Sequence, residues 1–248
     1  MAIPSGREHD GPPGLTLFTG RFGSGKSEAA LNYAVALAGK LKDGNQAPNR
    51  PISQSSNAPV LLVDLDIVTP YFRTREMAQT MQAHGVEVVA PAGVSRHLDM
   101  PAISPQILGA IEQQARPVVV DVGGDPQGAR ALGQFSPAIQ RRPYTMYFVV
   151  NPYRPFTGSA DALTRSIAEI ERTSRLKVTS LVSNPNLIGE TTVRAIVDGH
   201  AHIEALARSL GLPIAFVCVE RRWMPGLGQN SFAQPVLALD RYFVMSWE

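Results

Sequence analysis

Short apolar runs alternate with longer amphipathic segments along the chain from residue 15 onwards. The short runs are apolar at nearly every position, which is typical of parallel strands covered on both faces. The predicted strands are 15–19, 60–64, Val86–Val89, 117–121, 145–150, 178–183 and 214–218. The predicted helices are 26–40, 74–84, 104–115, 127–140, 158–174, 190–210 and 232–244. Such alternation forms right-handed βαβ units, so the pattern predicts an α/β fold with one parallel sheet between two layers of helices.

Two segments interrupt this pattern. Residues 1–14 contain Pro, Gly and charged residues without periodicity, and we expect a flexible leader there. Residues 43–59 read DGNQAPNRPISQSSNAP, and their polar composition cannot contribute to a core. We therefore expect a single domain over residues 15–248 with an exposed loop at 43–59.

The composition excludes several classes of protein. With 44% hydrophobic and 18% charged residues, the chain can bury a sizeable core, and its net charge of +2 gives no strong nucleic-acid signal. Its single cysteine rules out an internal disulfide framework and fits a reducing cytoplasm. No apolar run approaches the roughly 18–20 residues of a transmembrane helix. His200 and His202 lack a third ligand nearby in sequence, so we expect them on a helix surface rather than in a metal site.

The most specific motif lies at residues 20–27, which read GRFGSGKS. It matches the P-loop pattern G-x-x-x-x-G-K-[ST], and it falls directly between a predicted strand and a predicted helix. In such a loop the backbone N–H groups face phosphate oxygens, Lys26 reaches the β and γ phosphates, and the Ser27 hydroxyl ligates Mg²⁺. The residues predicted to hold the nucleotide are Gly20, Arg21, Phe22, Gly23, Ser24, Gly25, Lys26 and Ser27.

A second nucleotide signature follows the predicted strand 117–121. The strand ends in Asp121 and continues as Val-Gly-Gly-Asp. An acid at the carboxyl end of a strand is placed to hold the magnesium shell, and the N–H of Gly124 can contact the γ-phosphate. The pattern is that of a Walker B strand with its switch segment. Asp125 offers a second acid, and the sequence leaves open which of Asp121 and Asp125 is the key one.

Five segments together resemble a known family: GRFGSGKSE, DLDIVTPYFRTRE, DVGGDPQGARALG, NPYRPFT and SNPNLIGETT. They resemble the MinD/ParA/CobQ-type ATPases of the SIMIBI class of P-loop proteins, and the resemblance covers residues 15 to about 244. It implies a three-layer sandwich with a seven-stranded, mostly parallel sheet in which the P-loop and Walker B strands are adjacent. It also implies Mg-ATP as cofactor and an ATP-dependent homodimer.

The resemblance gives roles to three further residues. Arg21 stands five positions before Lys26, where the family has a signature lysine that reaches a partner's nucleotide across a dimer interface. Asp66 matches the second acid of a D-x-D segment, which orients the attacking water, and Asn184 matches an asparagine that holds the base. The catalytic candidates are therefore Asp66, Lys26 and Arg21. The metal candidates are Ser27, Asp66 and Asp121.

The loop after the predicted strand 178–183 bears on the choice of base. A guanine-binding loop of the N/T-K-x-D type needs a carboxylate to accept hydrogen bonds from guanine N1 and N2. The corresponding Ser-Asn-Pro-Asn stretch at 183–186 has none. The sequence therefore favours ATP over GTP.

Three functions fit these motifs. The first, which we favour, is an ATPase switch whose nucleotide states bind a partner protein differently. The second is an ATP-dependent biosynthetic enzyme, such as an amidoligase, a dethiobiotin-synthetase-like ligase or a small-molecule kinase. The third is a DNA- or membrane-associated positioning ATPase, which is disfavoured because the chain has no basic stripe or basic amphipathic terminal helix.

Overall fold

The computed structural model describes residues 14–42, 59–65, 78–90, 104–228 and 231–242. This part of the chain contains one sheet of eight strands, and every neighbouring pair is parallel. The strands are β1 (Leu15–Gly20), β2 (Val60–Leu65), β3 (Val86–Val89), β4 (Val118–Val122), β5 (Tyr144–Val150), β6 (Ser180–Ser183), β7 (Ile214–Glu220) and β8 (Val236–Leu239). Their order is β3-β2-β4-β1-β5-β6-β7-β8, which places β1 beside β4 as the resemblance implies.

Helices cover both faces of this sheet. They are α1 (Lys26–Lys42), α2 (Ala78–Ala83), α3 (Pro105–Glu112), α4 (Pro126–Ile139), α5 (Ala160–Ser174) and α6 (Val193–Leu210), with short 3-10 helices at Ile188–Glu190 and Arg221–Gly226. Apolar residues of α1 and α2 are buried against one face, and those of α3 to α6 against the other. The predicted α/β sandwich, with a parallel sheet between two helical layers, is confirmed.

The structure corrects two details of the prediction. The described chain has eight strands rather than seven, and β8 lies within the segment 232–244 that was predicted as a helix. This strand is apolar at all four positions, and a short apolar run cannot be assigned to a strand or a helix by periodicity alone. Pairing with β7 decides the outcome, since Val217 aligns with Val236 and Cys218 with Leu237.

The expectations for the leader at 1–14 and the loop at 43–59 fall outside the described residues, apart from Gly14 and Pro59.

An aromatic cluster fixes α1, and with it the end of the P-loop, onto the sheet. The ring of Phe18 in β1 lies 5.3 Å from those of Tyr33 in α1 and Tyr147 in β5, and Phe216 in β7 stacks 5.9 Å from Tyr33. Each such ring buried in full contributes about 1.5–3 kcal/mol. Burial also raises the pKa of Tyr33. Cys218 is buried in the same cluster, where desolvation raises the pKa of its thiol.

The segment after β8 also holds α1. The Asn32 side chain donates to the backbone oxygen of Asp240 at 2.9 Å and accepts from the backbone N–H of Asp240 at 2.7 Å. The Tyr242 N–H donates to the carboxylate of Glu28, one residue after the end of the P-loop. The last described segment therefore attaches to the helix that follows the P-loop.

Candidate nucleotide-binding site

The P-loop is a sharp turn between β1 and α1. Gly23 and Gly25 have φ angles of +76° and +82°, which residues with a side chain rarely adopt. A Cβ atom at Gly25 would also lie 2.2 Å from Asn184 Nδ2. The glycines of the motif are therefore required by the backbone path and by the closeness of the neighbouring loop.

Lys26 and Ser27 begin α1 and are buried, with exposed fractions of 6% and 4%. The Ser27 Oγ has no hydrogen-bond partner among the described residues. A buried hydroxyl without a partner is costly, so its presence in a native fold calls for an explanation such as a bound ion. A hydroxyl oxygen is a suitable ligand for Mg²⁺, and the buried Ser27 Oγ therefore fits the predicted metal ion.

Two acids lie side by side at the carboxyl ends of their strands. Asp64 in β2 and Asp121 in β4 are register partners, and Asp121 also aligns with Phe18 in β1. Register partners project to the same face, and Phe18 lies on the face covered by α1. Asp64 and Asp121 thus share the sheet face on which Ser27 begins its helix. Asp66, the predicted catalytic acid, lies outside the described residues.

The loop after β4 packs directly on the P-loop. A Cβ at Gly124 would lie 2.3 Å from the backbone oxygen of Gly20 and 3.0 Å from the carbonyl carbon of Arg21, so only glycine fits. Asp125 is the N-cap of α4, since its Oδ1 accepts from the Gly128 N–H at 2.7 Å. Asp125 thus has a structural role as a helix cap, whereas Asp121 lies near the carboxyl end of β4 beside Asp64.

Asn184 reaches the P-loop from the loop after β6. Its Nδ2 donates to the backbone oxygen of Ser24 at 2.7 Å. Asn151, which follows β5, is also buried, and its Nδ2 donates to the Asn186 oxygen at 2.8 Å. The loops after β5 and β6 are thus joined to each other, and Asn184 joins them to the nucleotide loop.

Arg21 is held by its own chain. Its Nε donates to Ser166 Oγ at 3.0 Å, its Nη2 forms an ion pair with Glu169 Oε2 at 3.0 Å, and its guanidinium lies 5.5 Å from the centre of the Phe156 ring. Ser166 and Glu169 belong to α5. To reach a partner's nucleotide, as the resemblance implies, Arg21 must first give up these contacts.

The structure also reveals an arginine that the sequence pattern does not single out. Arg154, in the loop after β5, lies over the P-loop, with its Nε 3.4 Å from the position of a Cβ on Gly23. This Nε is buried and has no hydrogen-bond partner among the described residues. In the sequence, the segment NPYRPFT contributes only to the resemblance, because no local pattern links residue 154 to residue 23.

The expectation for one histidine is wrong. His200 is buried rather than on the surface, with Nδ1 2.9 Å from Ser183 Oγ and Nε2 3.0 Å from Gln234 Oε1. Desolvation lowers its pKa, while the nearby Glu204 partly opposes this shift. His202 is exposed as expected. Within the described ranges, no three His, Cys, Asp or Glu side chains cluster to hold a metal ion.

Comparisons with known proteins give a fold but no family. No protein-family model and no curated protein sequence matches this chain. Chloroplast FtsY from Physcomitrella patens has a similar structure, with a TM-score of 0.54 and 19% identity over 92% of this chain and 63% of its own. FtsY from Thermotoga maritima has a TM-score of 0.51 and 18% identity, over 90% of this chain and 64% of its own. The 54 kDa signal recognition particle protein from Aeropyrum pernix, in complex with GDP, has a TM-score of 0.51 and 16% identity, over 85% of this chain and 42% of its own.

At these identities the similarity shows the fold alone. The fold is that of an α/β P-loop NTPase. The chain spans less than two thirds of each neighbour's length. No helix among the described residues is long and apolar enough to cross a membrane.

Proposed function

We propose that this protein is a cytoplasmic Mg-ATP-binding P-loop ATPase that acts as a nucleotide-dependent switch on a partner protein. The observation that carries the proposal is the P-loop itself, with Lys26 and Ser27 buried at the start of α1 and the Ser27 Oγ without a partner in the described part of the chain. An anion at this helix N-terminus is favoured by the helix dipole and by the N–H groups of the loop.

Mg²⁺, when bound with the nucleotide, supplies charge neutralisation of the phosphates. In this proposal Ser27 holds the ion directly, and Asp121 holds its shell from the end of β4. Asp66 is proposed as the third residue that holds the Mg²⁺ ion or its water shell. The backbone of residues 20–25 binds the phosphates, Gly124 faces the γ-phosphate, and Lys26 contacts the β and γ phosphates.

The first test removes the lysine charge. Lys26→Ala should weaken Mg-ATP binding, because hydrogen bonds to a charged donor are about twice as strong as neutral ones. Isothermal titration calorimetry measures the affinity, and an unchanged dissociation constant would refute the proposed site.

The preference for ATP is also a proposal. It is supported by the loop after β6, where residues 183–186 lack a carboxylate for guanine. One structural neighbour was solved in complex with GDP, so the base must be tested directly. ATP should displace a fluorescent adenine nucleotide at much lower concentration than GTP. Equal displacement by both would remove the argument for ATP.

Asp66 is proposed to orient the attacking water. Positioning a water molecule is a contribution to the transition state, worth roughly 10²–10⁴-fold, so Asp66→Asn should lower turnover with little change in ATP affinity. A variant with full turnover would contradict the role.

The same variant separates a switch from a biosynthetic enzyme. A switch blocked in hydrolysis should accumulate as an ATP-bound homodimer or partner complex, which size-exclusion chromatography with Mg-ATP detects. Arg21 would act across that dimer after leaving Glu169 and Ser166. If ATP binds and no complex forms, the alternative of a ligase or small-molecule kinase becomes the better hypothesis.

A further inference from the structure

Arg154 is presented to the P-loop by a hydrogen-bonded turn. Its backbone N–H donates to the Asn151 oxygen at 3.2 Å, and the Thr157 hydroxyl donates to the oxygens of Asn151 and Arg154 at 2.7 and 3.2 Å. Asn151 and Thr157 are buried. The position of the Arg154 backbone is thus determined by buried hydrogen bonds.

The side chain extends from this turn across Gly23. A Cβ on Gly23 would contact Arg154 Nε, Cδ and Cγ at 3.4, 3.5 and 3.8 Å, so the arginine lies along the face of the loop. Its Nε is a buried donor without a partner among the described residues. The Arg154 side chain as a whole is only half-buried, so its guanidinium can reach a ligand on the loop, and an acceptor there would satisfy a donor that is costly to leave unpaired.

The chemistry of the neighbouring loop identifies that ligand. P-loop N–H groups bind phosphate, and a guanidinium is the side chain best suited to phosphate because its planar donors can bind two oxygens. Among the described residues, the other arginine near the loop is Arg21, which is already bound to Ser166 and Glu169. Of these two arginines, Arg154 is therefore the one whose Nε is left to bind a nucleotide held by the same chain.

We infer that Arg154 binds the phosphates of the nucleotide held by the P-loop of the same chain. Arg154 lies outside the Walker A motif and is brought to it by the turn after β5. This inference rests on the proposed nucleotide site. In this inference, Arg154 contacts the nucleotide of its own chain, so the contact does not require a dimer.

The test compares Mg-ADP affinity in four proteins by calorimetry: wild type, Arg154→Gln, Arg165→Gln and Lys26→Ala. Arg165 is exposed on α5 and is the matched control for the loss of one positive charge. Arg154→Gln should weaken Mg-ADP binding roughly ten- to hundredfold, and Arg165→Gln should leave it within about twofold. The affinity of Arg154→Gln should also depend less on salt, because one screened contact is gone.

The outcomes separate the two proposals. If Arg154→Gln binds like wild type while Lys26→Ala does not bind, the inference is wrong and the proposed function stands. If wild type binds neither Mg-ADP nor Mg-ATP, the proposed function fails and the inference fails with it. Thermal unfolding without nucleotide checks the fold of each variant. If Arg154→Gln does not fold, Arg154→Met replaces it, and wild-type affinity in Arg154→Met overturns the inference because this side chain has no donor for phosphate.

Discussion

Single glycines bring separate parts of the backbone into direct contact at the nucleotide site. Gly124 is the clearest case, because the atoms that a Cβ would meet belong to the backbone of Gly20, Arg21 and Phe22 and not to a flexible side chain. Backbone atoms of a tight loop cannot move aside without altering the loop. The phosphate-binding conformation therefore depends on a glycine about 100 residues away in sequence.

We predict that Gly124→Ala destabilises the protein by about 1–3 kcal/mol, as overpacking does, and also weakens nucleotide binding. Chemical denaturation and calorimetry measure the two effects. The control is Gly109→Ala in α3, where a Cβ would have nothing within 4 Å. Alanine at such a helical position should stabilise by about 0.5–1 kcal/mol. Equal effects of the two substitutions would contradict the proposed contact.

The buried His200 makes stability depend on pH. Its pKa is lowered in the folded protein, so below the unfolded value of about 6.5 the unfolded chain binds more protons than the folded one. Stability should therefore fall as the pH falls from about 7 to 5. The measurement is the unfolding free energy as a function of pH, and His200→Gln should flatten its slope between about pH 7 and 5. The control is His202→Gln, at an exposed position, which retains the buried imidazole and should keep the slope.

At the scale of elements, a helix cap gives one acid next to the P-loop a structural role. Asp125 caps α4 through the Gly128 N–H, with Pro126 at the first helical position. Asparagine caps as well as aspartate, but alanine costs about 1 kcal/mol. We predict that Asp125→Asn keeps both stability and ATPase turnover, while Asp125→Ala lowers stability by about 1 kcal/mol in denaturant unfolding. A large loss of turnover in Asp125→Asn would instead give its charge a catalytic role.

The elements themselves were largely predictable from local patterns. The predicted strand at Val86–Val89 coincides with β3, and the apolar run at 145–150 gives β5 with one more residue. The predicted helix 190–210 begins later, at Val193, because Thr192 caps it by accepting from the Ala195 N–H. The strand β8 was missed because its form depends on pairing with β7. Local periodicity carries no information about such partners.

The sequence predicts candidate site residues where these are adjacent along the chain. Lys26 and Ser27 follow from a motif of eight residues. The contacts of Asn184 with Ser24 and of Arg154 with Gly23 depend instead on the order of strands in the sheet, which brings the loops after β5 and β6 beside the P-loop. The contacts of Arg21 with α5 could not be predicted for the same reason.

At the scale of the whole molecule, a nucleotide should stabilise the entire domain. The P-loop meets the loops after β4, β5 and β6, so a ligand that binds there favours the folded arrangement of all these elements. At a concentration of 100 times its dissociation constant, a ligand adds about 2.7 kcal/mol of stability. We predict that Mg-ATP raises the Tm by roughly 5–11 °C, and that Lys26→Ala abolishes this shift in thermal unfolding. An equal shift in both proteins would indicate binding elsewhere.

The burial of Cys218 has a practical consequence. It is the chain's only cysteine, and its raised pKa keeps the thiol protonated, whereas alkylating reagents react with the thiolate. A maleimide should therefore modify the native protein slowly and the unfolded protein fast, which makes the labelling rate a built-in measure of how often the core opens. The native thiol can also stay in place when a cysteine is introduced at an exposed position such as Ile188. A single fluorophore can then be attached near the loop after β6.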